Sequence, residues 1–392
     1  MAAQIRWTGL VRAVCKTAVL AYFFLSVILG LYAALEMPGL RDLGSFISSG
    51  VAKNAGLDPY GIYTVLDPPT FVVHFDDVAV WNPNLNPPVS VYLFQLLARI
   101  DPEAVDRAWL SASLSGFAAV VAALVCRYPY HRSLLSVAWA FSLGGLWHGL
   151  ELGQIYVLIL VVITAAWLIG EGGQERWYAG LLIGLVGAIK PNFLVWSILL
   201  FVGGYRKAAF SALSTTALIS CVPLALDGPR IYRQWLEAAS YYNGLEVTGN
   251  LSLVAAGSRL GSEAVGWFAA LALLAVLAAI VGKFRPNFNA VGALAIVGAL
   301  LVGPLTWPGY TILLLPVLLS RRWSAEVWTA ALILAAPFLM LYQFAFNDAY
   351  AYDIRTLFYA VPTFIVLGVV VRDVLRSKLR SRLPAVELPS GA

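Results

Sequence analysis

A small set of charged and amide side chains sits at the edges of long apolar stretches, and their types suggest one chemistry. Asp42 follows the first apolar stretch by a few residues. His148, Glu151 and Gln154 occupy a short polar interruption, Lys190 precedes Pro191-Asn192 inside a split stretch, and Asp348, Asp353 and Arg355 flank the last two. A carboxylate at a membrane surface can take the proton of an attacking hydroxyl, and a positioned general base contributes about 10²–10⁴-fold. Cations beside it can stabilise charge that develops on a departing phosphate. Together they suit sugar transfer from a lipid-linked phosphosugar. A cation near bilayer depth costs about 2.5–3.5 kcal/mol even on insertion scales. Lys190 and Arg355 therefore call for an anionic partner, such as a lipid head group. A transporter with a charged outer vestibule fits the same residues.

Each of these residues has a plainer reading. Asp42 can cap a helix, since Asp is a favoured N-cap. Lys190 can snorkel its amine to the interface, and Trp307, Tyr241 and Tyr242 can be interfacial aromatics. His148 near Glu151 can be a hydrogen-bonded histidine at a helix end. The run His74-Phe75-Asp76-Asp77 invites a metal-site reading, yet it lacks a defined set of His or Cys ligands, and a solvated acidic loop explains it. Asp76 stands as a second candidate base.

The elements that must position these groups follow from composition. The chain has 392 residues, 60% hydrophobic and only 12% charged, with a mean hydropathy of +0.79. Soluble domains carry about 25% charged residues, so too few remain here to coat a water-facing surface. The net charge of +5 does not indicate nucleic acid, because basic residues of membrane proteins collect at cytoplasmic helix ends. Cys15, Cys126 and Cys221 all lie in or beside apolar stretches, which implies no disulfide or metal framework and places them on membrane-facing surfaces.

The apolar run 17–35 follows Arg6, Arg12 and Lys16. It exceeds the about 7–15 residues of a signal peptide's apolar region, so it reads as an uncleaved first span. Further spans are expected near 107–126, 134–148, 152–170, 177–190, 191–204, 208–226, 264–282, 288–304, 309–320, 325–345 and 355–372, twelve in all with the first. Both termini then face the cytoplasm. Most of the 26 Lys and Arg residues fall in the loops this assigns to the inside, along with only Glu171, Glu175, Glu326, Asp373 and Glu387 of the 21 acidic residues. That is the positive-inside pattern. Two outer segments, 37–106 and 227–263, are longer than turns and read as functional. Within the first, residues 89–100 read as a re-entrant or interfacial helix. The expected fold is an all-α polytopic bundle, one domain over residues 1–372, with a basic cytoplasmic tail at 373–392.

The order of short motifs resembles glycosyltransferase family 87, of the C-type superfamily that uses polyprenyl-phosphate sugars. The matching pieces are Arg41-Asp42-Leu43, Gly56-Leu57-Asp58-Pro59-Tyr60, Asn86-Pro87-Pro88, Gly153-Gln154, Lys190-Pro191-Asn192, Asn250-Leu251-Ser252-Leu253 and Gly303-Pro304-Leu305-Thr306-Trp307. The resemblance implies a C-type fold in a bacterial inner membrane, with the active site on the extracytoplasmic side. It implies Asp42 as the catalytic base, and Lys190, Gln154, Asn250 and Trp307 in the donor or acceptor cavity. Tyr60, Asp76, His148 and Arg355 are further candidates for contact with substrate. The expected partners are membrane lipids, a polyprenyl-phosphate sugar as donor and a glycolipid or glycan as acceptor, with no cofactor and no nucleic acid. Two departures stand out. The family commonly has Tyr-Pro-Pro where this chain has Asn86-Pro87-Pro88, and often has His after the late Trp, where this chain has Pro308-Gly309-Tyr310. Mannose is therefore implied by the resemblance alone. The rival readings are a transporter or flippase, whose inverted repeats have no counterpart in the unlike halves of this chain, and a non-catalytic subunit of an envelope-polymer machine.

Overall fold

A backbone at bilayer depth has no water to satisfy its N–H and C=O groups, so apolar stretches of this kind must become helices. In a computed structural model, described over residues 2–36, 41–61, 72–75, 78–81, 84–172, 177–241, 249–336 and 349–382, they do. Helix α1 (Ala2–Glu36) leads to α2 (Arg41–Asn54), a hairpin of β1 (Val72–Phe75) and β2 (Val78–Trp81), α3 (Val89–Leu97) and α4 (Pro102–Arg127). Next come α5 (Leu134–Ser142), α6 (Gly144–Glu151), α7 (Tyr156–Gly170), α8 (Trp177–Ile189), α9 (Leu194–Val202) and α10 (Arg206–Asp227). After α11 (Arg230–Tyr241) and α12 (Leu253–Arg259) stand α13 (Glu263–Phe284) and α14 (Phe288–Val302). A 3₁₀ stretch, Pro308–Leu314, runs into α15 (Leu315–Leu319), followed by α16 (Ala325–Leu334) and α17 (Ala349–Arg382).

Among the described residues, five helices are long and apolar enough to cross a membrane: α4, α10, α13, and the segments Ala13–Ala34 of α1 and Thr356–Ser377 of α17. Leu218 of α10 and Phe268 of α13 remain 70% and 74% exposed, as side chains facing lipid do. The shorter apolar helices include the most deeply buried parts of the bundle, although α8 and α9 also expose large apolar side chains. Helix α14 is apolar on every side and buried from Val291 to Leu301, the pattern of a central helix. Pro308–Leu319 is likewise buried throughout, which lets its irregular backbone sit at depth without meeting lipid. Helices α8 and α10 pack through small residues. A Cβ on Gly180 or Gly184 would lie 2.3 or 2.4 Å from the carbonyls of Ala208 and Ala212, the close approach that small-xxx-small patterns permit. The cysteines are unpaired and exposed on these spanning helices.

Some boundaries differ from the sequence reading. The expected span 134–148 breaks at Leu143, whose ψ of 119° stops α5, and resumes as α6 as far as Glu151. Carbonyls near the break find side-chain partners: the Trp147 indole donates to Phe141 O at 2.8 Å, and Ser142 Oγ donates to Trp139 O at 2.7 Å. The segment 37–106 holds a helix, α2, packed on α3. The stretch assigned to a tail continues α17 as far as Arg382.

Candidate active site

One end of the bundle gathers most of the residues marked out above. Asp42 lies in the first turn of α2, where the helix dipole favours a carboxylate. The backbone N–H groups of Asp42 and Leu43 both donate to Leu152 O, at 2.9 and 3.2 Å. This docks the start of α2 onto the turn between α6 and α7. Gly153 makes that turn with a φ of 67°, a conformation that costs glycine little. The turn in turn aims Gln154, whose Nε2 donates to Asp42 Oδ2. Gln154 is only 8% exposed, and its Oε1 is buried without a partner. The plain reading of Asp42 as a carboxylate at a helix start is met in position, but its amide partner lies 112 residues away in sequence.

Two residues beyond Gln154, Tyr156 opens α7. Its ring packs against that of Tyr310 from the 3₁₀ stretch, with centroids 4.3 Å apart and planes tilted by 42°. Lys190 Nζ lies over both rings, 5.6 Å from the centroid of Tyr156 and 5.3 Å from that of Tyr310. Among the described residues no carboxylate pairs with Lys190. Its charge is held by π faces, an attraction of about 0.5–2 kcal/mol depending on solvation. Lys190 occupies the break between α8 and the turn Pro191–Phe193, in the extended conformation that a following proline favours. Asn192 Nδ2 ties this break to Ala299 O of α14 at 3.2 Å. Gly309 explains part of the departure after Trp307: a Cβ there would lie 2.6 Å from the Tyr156 ring and 3.5 Å from His148 Nδ1. The aromatic pair, and the approach of His148 of α6 to it, need the glycine.

Asn250 is fully buried and serves as a joint. Its Nδ2 donates to Pro304 O at 2.9 Å, and its Oδ1 accepts from Ser252 N and Thr306 N at 3.2 and 3.0 Å. Ser252 Oγ also donates to Pro304 O, and Leu251 N donates to Thr306 O. These bonds zip two separate motifs into one ridge that ends at Trp307, the half-buried residue leading into the 3₁₀ stretch. Gly249 N donates to Thr356 Oγ1 of α17 at 2.9 Å, which brings the position beside Arg355 to the same end. The side chain of Arg355 and the whole of Asp76 lie outside the described residues.

Tyr60 stands apart. It is 4% exposed, its hydroxyl donates to Asn86 O at 2.9 Å, and burial holds its phenol protonated well above the usual range. It packs with Val91, Ile231 and Ala238 under α11, so it supports the fold of the segment that follows α2. Sequence reasoning missed Tyr156 and Tyr310. Their one available signal was proximity to motifs, two residues after Gln154 and three after Trp307.

A carboxylate steered by an amide, beside a lysine held by aromatic faces, can accept a proton and hold an anion within one site. The family model for glycosyltransferase family 87 matches residues 84–308. That stretch contains His148, Gln154, Lys190, Asn250 and Trp307 and begins after Asp42 and Tyr60. No curated protein and no solved structure matches the chain. With more than half its length matched, and helices fit to cross a bilayer around a site of this chemistry, the chain belongs to glycosyltransferase family 87 and is a membrane glycosyltransferase.

Proposed function

We propose that the protein moves a hexose, mannose by resemblance, from a polyprenyl-phosphate donor to a hydroxyl of a glycolipid or glycan. The reaction takes place at the outer face of a bacterial inner membrane. The observation that carries this reading is the bond from Gln154, inside the family-matched stretch, to Asp42, ahead of it. It joins the one carboxylate of α2's first turn to the Tyr156–Lys190–Tyr310 group.

In the proposed step the acceptor oxygen attacks the anomeric carbon as its proton passes to the Asp42 carboxylate. The bond from that carbon to the phosphate oxygen breaks on the opposite side, with inversion, and the electron pair leaves on the polyprenyl phosphate. Lys190 stabilises that developing charge. Gln154 keeps the carboxylate in line, since a catalytic group works only when near-attack geometry is held. Arg355 is a second cation for the phosphate, and Trp307 a wall for the sugar.

Twelve crossings with both termini inside complete the reading. The charge asymmetry of the loops supports it, and so do contacts between loops assigned to the same side. Arg127 pairs with Glu171, Arg321 with Asp373 and Arg372 with Glu326, all at the basic end. The test is transfer by the purified full chain in nanodiscs, given radiolabelled polyprenyl-phosphate mannose and a total lipid extract. Label entering a new glycolipid supports the reading. No transfer from mannose, glucose or arabinofuranose donors would overturn it.

A further inference from the structure

A second polar site lies at the far end of α2 from Asp42. A cavity of about 270 Å³ is lined by Lys53, residues 56–59, Asp227, Arg230, Ile231 and Gln234. Lys53 and most of that loop precede residue 84, where the family match starts. The walls are preorganised. Asp227 at the end of α10 is held by Lys53 and by the Tyr92 hydroxyl of α3. The Tyr60 N–H donates to Asp58 Oδ1 at 2.8 Å, and the Trp235 indole donates to Leu85 O at 3.1 Å behind α11. Burial raises the Asp58 carboxyl above its usual range, against the opposing pull of the Tyr60 N–H and of Arg230.

The lining selects the ligand. Two carboxylates face two cations, one pair already in contact and the other within electrostatic reach. That leaves no net positive charge to hold a phosphate. Such a wall alternates donors and acceptors, which suits groups that both donate and accept, and hydroxyls are those groups. Leu57, which lines the cavity, and Leu226, next to Asp227, are 38% and 65% exposed, so the mouth meets the lipid interface.

We infer that this cavity holds one neutral sugar ring of the acceptor, remote from the ring that is glycosylated. This rests on the glycosyl-transfer reading above. Asp42 and Lys53 are eleven positions apart on one rigid helix, about 16 Å at 1.5 Å per residue. That is farther than a single ring spans, so the acceptor carries an oligosaccharide and not a single-ring head. Binding at the remote ring serves to place the reacting hydroxyl, the use to which enzymes put distant contacts.

The experiment applies the purified full chain to an array of immobilised neutral mono- to hexasaccharides and of sugar phosphates. Wild type should retain neutral oligosaccharides of more than one ring. Asp58→Asn, which keeps an acceptor for the Tyr60 N–H, and Gln234→Ala should each lower retention by about tenfold, the loss of a hydrogen bond to a charged or buried partner. Asp42→Asn should retain glycans and lose transfer. Melting temperatures within error of wild type show that both cavity variants fold. Retention of sugar phosphates alone, or retention indifferent to Asp58→Asn and Gln234→Ala, overturns the inference. Glycan retention by a wild type that transfers nothing would sink the proposed donor and mechanism and leave the cavity standing as a glycan site. Transfer without glycan retention would do the reverse.

Discussion

The candidate site and the basic end of the bundle draw on the same residue types and treat their charges differently. At the basic end Arg127, Arg321 and Arg372 are matched to Glu171, Asp373 and Glu326, and Trp323 packs edge-on against both Trp139 and Trp328 at 4.7 Å. In the candidate site a neutral amide donates to Asp42 and ring faces hold Lys190, while the ion pair of Lys53 with Asp227 stands apart at the far end of α2. An ion pair uses up its charges on each other. The π faces around Lys190 hold its charge in place and leave it able to act on a third group. Anchoring needs the first arrangement and catalysis the second.

Substitutions in these two regions should therefore separate in kind. After Asp42 itself, the largest expected loss is at Lys190. Lys190→Met should lower the transfer rate at saturating donor by about 10²–10³-fold, the usual cost of removing one stabiliser of developing charge. An equal rate in Lys190→Met would make the lysine an interfacial anchor like the basic-end arginines. Gln154→Ala should lower transfer by about tenfold, as loss of a hydrogen bond to a charged group does, with little change in donor KM. Asn250→Ala should act mainly on stability, costing about 1–3 kcal/mol because Thr306 N and Pro304 O lose a buried partner. Its thermal melting should move before its rate does.

The smallest effects belong to the basic end. Arg127→Ala should leave transfer unchanged and the melting temperature nearly so, as exposed pairs contribute little. His131 adds a pH dependence there. It is buried, its Nε2 lies 2.9 Å from Arg321 O, and burial holds its imidazole below the ordinary value of 6.5. The folded state thus favours the neutral ring, and the unfolded chain takes up the proton first. Stability is full above pH 6.5 and is lost as pH falls through the lower folded value. Melting scans should show that loss in wild type and not in His131→Gln.

Much of the architecture was legible because an apolar run long enough to span is hard to use otherwise. The break at Lys190 was legible too, since Pro191 lacks a donor. The break at Leu143 carries no proline, and its local mark is the Gly144-Gly145 pair directly after it; it forms where Trp147 and Ser142 can answer nearby carbonyls. Nor does hydropathy separate α14, buried on all sides, from α13, which faces lipid. The motifs pointed to Gln154 and Lys190 as residues of one site, but the Asp42–Gln154 bond crosses 112 residues and has no local signal. Asn250 and Tyr60, expected beside substrate, also serve as joints of the frame, a role that the residue type alone does not reveal.

The most direct measurement is the rate of sugar transfer by Asp42→Asn, reconstituted in nanodiscs beside wild type and Arg127→Ala. Asparagine keeps the shape and can still accept from Gln154, but it cannot take the acceptor's proton. Label should reach glycolipid with wild type and Arg127→Ala and stay on the donor with Asp42→Asn, all three melting alike. Transfer by Asp42→Asn at a rate near wild type would contradict this and move the base to another residue.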